Sequence, residues 1–218
     1  MIQAVIFDLD GTLINTWDLY MEAYRFAAKP YLKKEITEEE IIELKPTTER
    51  IFIEKISPEG EQKNAYQRFL DKYVNSHDHH YKGEYHGIID LLTRLREKKY
   101  QLALVTGKSR QAWELTQEKL QLGHFETIIT DNDVKRSKPD PEGALLALQK
   151  LNLKPEEAIF VGDTYVDYLV AHQAGMMFAA ALWAKTDQEI RRIKEKMQTS
   201  NNTVLLQKPA DLLAHLSS

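Results

Sequence analysis

The sequence predicts an α/β protein built on a mostly parallel β-sheet. Short, continuous apolar runs recur along it, as in strands buried on both faces. Amphipathic helical patterns separate those runs, the alternation expected of strand–helix–strand units. The runs end at Asp, Thr-Gly or Gly-Asp, and ligands of such sheets bind at the carboxyl ends of the strands.

The first run, Ala4-Val5-Ile6, leads into Phe7-Asp8-Leu9-Asp10-Gly11-Thr12-Leu13. Two carboxylates therefore stand where a buried strand ends, a costly placement unless they have a partner or a task.

Residues 15–83 read differently, being rich in Glu, Lys and Tyr and lacking a convincing strand. Helices are expected at Trp17–Ala28, Glu38–Leu44, Thr48–Ile56 and Glu61–His79. In the last, Tyr66, Phe69, Leu70 and Tyr73 recur at helical spacing and form one apolar face. We expect a helical insert over 15–83 and a core from 1–14 and 84–218, with the insert acting as a lid. Trp17, Tyr20 and Tyr24 are expected in the insert's own core. His77, Asp78, His79 and His80 point in different directions on a helix and are not expected to share one ion.

Beyond the insert, strands are expected at Gln101–Val105, Thr127–Thr130 and Ala158–Val161, with weaker ones at Met177–Leu182 and Thr203–Leu206. Helical patterns lie at Ile88–Lys98, Arg110–Leu120, Pro141–Leu151 and Val166–Ala174. Trp113 is expected to pack its helix on the sheet, and Trp183 to pack just beyond a late strand.

Composition narrows the function classes. The chain has 218 residues, 43% of them hydrophobic, enough for one large domain or a domain with a smaller insert. A net charge of −4 argues against a nucleic-acid partner. The absence of cysteine excludes disulfides, thiolate metal sites and a cysteine nucleophile. No apolar run approaches the roughly 20 residues that span a bilayer, and the first residues lack the layout of a signal peptide. A cytoplasmic protein without membrane association is expected.

Four strand ends carry the chemistry. They hold Asp8 with Asp10, Thr106 with Gly107, Lys138 in Arg136-Ser137-Lys138-Pro139-Asp140-Pro141, and Asp163 with Asp167 in Gly162-Asp163-Thr164-Tyr165-Val166-Asp167. Hard carboxylate oxygens suit Mg²⁺. A lysine and Mg²⁺ together would neutralise a transferring phosphoryl group. Asp163 and Asp167 also suit a helix N-terminus, and one residue can do both.

This ordered set resembles the haloacid dehalogenase-like hydrolase superfamily, whose pattern is D-x-D-G-T, a strand-end Thr or Ser, a Lys, and G-D-x-x-x-D. The resemblance covers essentially the whole chain. It is closest to the subgroup with a small α-helical cap and, within it, to the phosphoglycolate phosphatase and pyrophosphatase branch, through Val105-Thr106-Gly107-Lys108, the Asp133–Pro141 segment and Ala181-Leu182-Trp183. It implies a Rossmann-like core and a phosphatase of small phosphorylated metabolites. Asp8 would be the nucleophile that forms an aspartyl-phosphate, and Asp10 the acid and then the base. Thr106, Gly107, Lys108 and Lys138 would bind the phosphoryl group. Asp8, the Asp10 backbone carbonyl and Asp163 would ligate Mg²⁺, with Asp167 binding through water or orienting a ligand.

Asn15 stands where many relatives have Asp and Ser137 where they commonly have Gly, and further departures lie in the insert. Lys45 stands where relatives usually have Gly, in Leu44-Lys45-Pro46-Thr47-Thr48-Glu49-Arg50, and Lys45, Glu49 and Arg50 are candidates to face the pocket. A phosphomutase of the β-phosphoglucomutase type would share the core but carry a Gly-rich, Arg-containing clamp there. Arg50 is the only arginine in this loop, and its glycine is missing. A non-catalytic phosphate-binding protein of this fold would be expected to lack Asp8 or Asp10.

Overall fold

The computed structural model describes residues 1–44, 47–197 and 202–216. Six strands form one sheet in the order β3-β2-β1-β4-β5-β6, and every neighbouring pair is parallel. The strands are β1 (Ala4–Phe7), β2 (Gln101–Val105), β3 (Thr127–Ile129), β4 (Ala158–Gly162), β5 (Met177–Ala181) and β6 (Thr203–Leu206). All six fall where the apolar runs predict them, within a residue at each end.

Side-chain alternation along β1 divides the core in two. Ala4 and Ile6 face the apolar stripes of α7 (Glu142–Leu151) and α8 (Tyr165–Gln173). Val5 and Phe7 face α5 (Ile88–Glu97), where Ile88, Leu91, Leu92 and Leu95 are all buried, and α6 (Arg110–Gln117), from which Trp113 packs inward. Both faces of the sheet are thus covered, as an all-parallel sheet requires. Two further helices, α9 (Asp187–Lys196) and α10 (Asp211–Leu216), were not evident in the sequence pattern. The first is so polar that none of its residues is buried. The second is a short piece held by Leu212.

Between β1 and β2 lie α1 (Trp17–Leu32), α2 (Glu38–Glu43), α3 (Glu49–Ile56) and α4 (Gln62–His80). They share a hydrophobic cluster that includes Leu19, Tyr24, Phe52, Phe69 and Tyr73, separate from the two sheet cores. The sequence places the end of the first helix at Ala28, yet it runs to Leu32 with Pro30 inside. Pro30 has no N–H to offer the Phe26 carbonyl, and Arg68 Nη2 donates to that oxygen instead at 3.1 Å. Tyr20 and Tyr24 pack inward as expected. Trp17 does not: it is 48% exposed and donates from Nε1 to Glu38, because its place at the first turn faces outward.

The chain crosses between sheet and helices twice, and the two crossings pair with each other. Asn15 N donates to Gly83 O, Lys82 N to Asn15 O and Tyr85 N to Leu13 O, at 2.9, 3.2 and 3.0 Å. None of the described helices is long and apolar enough to cross a membrane.

Candidate active site

Strand ends gather the predicted residues. Asp8 follows β1 and its N–H bonds to Val161 O at 2.8 Å. Thr106 follows β2 and bonds to Ile129 O at 2.9 Å. Asp163 follows β4 directly. Oxygens of Asp8, Asp163 and Asp167 lie within 4.8 Å of one another, and all three residues are buried. This is the one such acidic cluster among the described residues.

Two lysines face the cluster. Lys138 Nζ donates to Asp8 Oδ1 at 2.7 Å and to Asp167 Oδ1 at 2.8 Å. An ammonium has three N–H donors, so one remains for a ligand oxygen. Lys185 Nζ lies 2.5 Å from Asp163 Oδ2, while Thr12 Oγ1 donates to Asp163 Oδ1 at 3.2 Å. Lys185 has no counterpart in the motif pattern; it stands just beyond β5 at the same sheet edge, and position is its only sequence signal.

Burial pushes the Asp8 carboxyl well above the ordinary range, helped by Asp167 and Asp163 and opposed by Lys138. Burial likewise raises Asp163 against the pull of Lys185. Three buried carboxylates against two lysines leave the cluster short of positive charge. The donor set is all hard oxygen and fits Mg²⁺, with Asp8 and Asp163 as the side chains to hold it.

Asp167 has a second task. It is the third residue of α8, and its Oδ2 accepts from Thr164 N at 3.1 Å and Thr164 Oγ1 at 2.6 Å, completing a capping box. With Lys138 on Oδ1, both oxygens are taken. That arrangement favours the orienting role over direct ligation.

Gly11 explains why the loop after β1 begins as it does. It sits at φ +87°, and a Cβ there would collide with the Asp163 carboxylate. Gly107 is small for another reason: a Cβ would lie 2.7 Å from Thr47 O, where the segment before α3 crosses the sheet edge.

Asp10 stands apart from the acidic cluster. Its Oδ1 accepts from Thr16 Oγ1 at 2.6 Å and pairs with Lys108 Nζ at 3.2 Å. Lys108 is not open to a substrate as the sequence suggests. Its side chain is fully buried, and its ammonium donates to Tyr20 Oη at 2.8 Å and Tyr73 Oη at 2.9 Å. Thr106 Oγ1 accepts from Lys108 N at 3.1 Å, which leaves its own proton for a ligand oxygen.

The insert residues divide. Glu49 turns inward and is buried, accepting from Tyr20 Oη at 2.8 Å. Burial raises its carboxyl against the pull of Lys108. Arg50 turns away to the core, pairing with Asp131 at 3.0 Å and with Ser137. Asp131 lines the same small cavity as Thr106 and Lys138, so the half-exposed Arg50 guanidinium is held at the rim of that cavity. Lys45 lies outside the described residues.

Residues 5–181 match the family described as haloacid dehalogenase-like hydrolase. The chain belongs to the haloacid dehalogenase-like hydrolase family. Among its relatives is the pyrophosphatase PpaX of Anoxybacillus flavithermus, 33% identical over 220 residues, covering 99% of this chain and 97% of that protein. Two solved structures of similar fold are informative. One, provisionally named a phosphoglycolate phosphatase, is from Lactobacillus plantarum, with TM-score 0.82, 25% identity and coverage of 98% and 99% of the two chains. The other, provisionally named a β-phosphoglucomutase, is from Thermotoga maritima, with TM-score 0.69, 29% identity and coverage of 99% of each chain. The family's shared core, rather than any one substrate, is what the strand-end geometry carries.

Proposed function

We propose that this chain is a Mg²⁺-dependent phosphatase that hydrolyses a small phosphorylated metabolite, either an ester of the phosphoglycolate type or pyrophosphate, through an aspartyl-phosphate. The observation that carries this reading is the pairing of Asp8 with Lys138 at 2.7 Å beside two further buried carboxylates.

Asp8 supplies the attacking oxygen. The bond from its carboxylate to phosphorus forms as the bond to the leaving oxygen breaks, and the leaving oxygen takes a proton from Asp10. In the second half, Asp10 takes a proton from the water that attacks phosphorus, and Asp8 is released. The remaining N–H of Lys138 and the free hydroxyl proton of Thr106 bind phosphoryl oxygens, and Gly107 leaves its backbone accessible to them. Asp8 and Asp163 hold the cation, and Asp167 keeps Lys138 in line. Bound Mg²⁺ supplies charge neutralisation at the phosphoryl group. Residues 15–83 serve as the cap that excludes bulk water.

Asp8→Asn tests the reading. Assayed on p-nitrophenyl phosphate with Mg²⁺, it is expected to lose at least about a thousandfold in kcat. Wild-type turnover in that variant would sink the aspartyl-phosphate. The similarity to a structure named as a phosphoglucomutase favours a second reading, phosphoryl return to a sugar. The loop around Arg50 counts against it, since it lacks the glycine of such a clamp and the guanidinium is already paired with Asp131. Release of inorganic phosphate without a bisphosphate activator separates the two, and a panel of phosphorylated metabolites chooses between ester and pyrophosphate.

A further inference from the structure

Lys108 is the most fully enclosed cation of the site. Its side chain has no solvent exposure, and its ammonium sits over the rings of Tyr20 and Tyr73, 4.4 and 4.9 Å from their centroids. Its three polar neighbours, Asp10, Tyr20 and Tyr73, match the three donors of an ammonium, so none is left for substrate.

The hydroxyls are polarised in one direction. Thr116 Oγ1 gives its proton to Ala112 O at 2.9 Å, so Tyr73 Oη must donate to Thr116 at 2.7 Å and accept from Lys108. Tyr20 Oη donates to Glu49 and likewise accepts from Lys108. A neutral amine would leave one of these acceptors without a donor.

The consequence falls on Asp10. Thr16 and Lys108 both approach Oδ1, and among the described residues no hydrogen bond reaches Oδ2. An oxygen already facing two donors is a poor place for a proton.

We infer that Lys108 is a positioning residue: together with Thr16 it fixes Oδ1 of Asp10, leaves Oδ2 as the oxygen that carries the catalytic proton, and does so only while Tyr20 and Tyr73 enclose it. This inference rests on the phosphatase reading above. It also ties the insert to the chemistry, because Tyr20 lies on α1 and Tyr73 on α4, whereas Lys108 and Asp10 lie in loops after strands. Removing the two hydroxyls would leave a buried ammonium with one partner, an arrangement that the interior tolerates poorly.

Leaving groups provide the test. p-Nitrophenolate departs without protonation, whereas an alkoxide needs the proton of Asp10. kcat/KM is measured for p-nitrophenyl phosphate and for the alkyl phosphate that wild type cleaves fastest in a panel. The enzymes compared are wild type, Lys108→Met, Asp10→Asn and the double variant. Lys108→Met is expected to lose about 10²-fold on the alkyl ester, with a loss at least about tenfold smaller on the aryl ester. The double variant is expected to fall no further than Asp10→Asn alone. Equal losses on the two esters, or losses that multiply in the double variant, would overturn the inference. So would a wild type that cleaves aryl esters but no alkyl ester. If Lys108→Met does not fold, Tyr20→Phe with Tyr73→Phe carries the same test. A shift in the same direction supports the inference, and unchanged selectivity refutes it. Wild type that releases phosphate from neither ester nor pyrophosphate would instead refute the phosphatase reading itself.

Discussion

At the scale of single residues, the site depends on one small side chain as much as on its charges. Gly11 lets the loop after β1 turn at φ +87° with the Asp163 carboxylate packed on its Cα. Gly11→Ala is expected to cost about 2 kcal/mol in urea denaturation, from the strained φ and the displaced carboxylate together. Calorimetric Mg²⁺ affinity should fall with it; unchanged stability and affinity would mean that Asp163 moves freely. The residue types of the site were legible in the sequence because their order is fixed by chemistry and by strand ends. Their partners were not. Lys108 reads as a strand-end cation next to Thr106, and only the approach of α1 and α4 shows it enclosed by tyrosines. Arg50 reads as a pocket residue, but its partners Asp131 and Ser137 are far away in the sequence and only the fold brings them within its reach.

At the scale of elements, α8 joins a structural device to a catalytic one. Its capping box uses the same Asp167 that holds Lys138. Thr164→Ala removes the side-chain half of the box, with an expected loss of about 1 kcal/mol. It also leaves Asp167 Oδ2 with the Thr164 N–H alone, a looser hold on the carboxylate, so kcat should fall while Thr164→Ser retains both properties. A stability loss with unchanged kcat would separate the two roles. The longer elements with a well-buried apolar face were evident beforehand, α4 and α5 among them. The late helix α9 escaped because it is so polar: only Ile190 and Ile193 reach the core, both partly buried, among charged neighbours. Its own start is still marked: Thr186 and Glu189 form a capping box around its first turn.

For the whole molecule, the contact between the helical insert and the core includes a titratable group the chemistry does not use. His77 on α4 is 3% exposed, packs on Tyr73 and Tyr81, and has no hydrogen-bond partner on either ring nitrogen among the described residues. Burial, with Lys119 and Lys108 nearby, holds its pKa down at about 4. Between about 6.5 and 4 the unfolded chain therefore binds a proton that the folded chain refuses, and stability falls as pH falls through that window. His77→Phe is expected to flatten that slope in denaturation series across the same range; an unchanged slope would assign it to other groups.

The strand order has a consequence in time. β1 lies at the centre of the sheet, hydrogen-bonded to β2 and β4, although it is made first. Its partners lie beyond the whole helical insert, so on an emerging chain it waits unpaired while α1 to α4 find their local contacts. Asp8 meets Asp163 only once β4 has joined. A ribosome-bound chain arrested before Ala158 should hold a folded helical layer and no phosphatase site, which makes the catalytic centre a late product of folding.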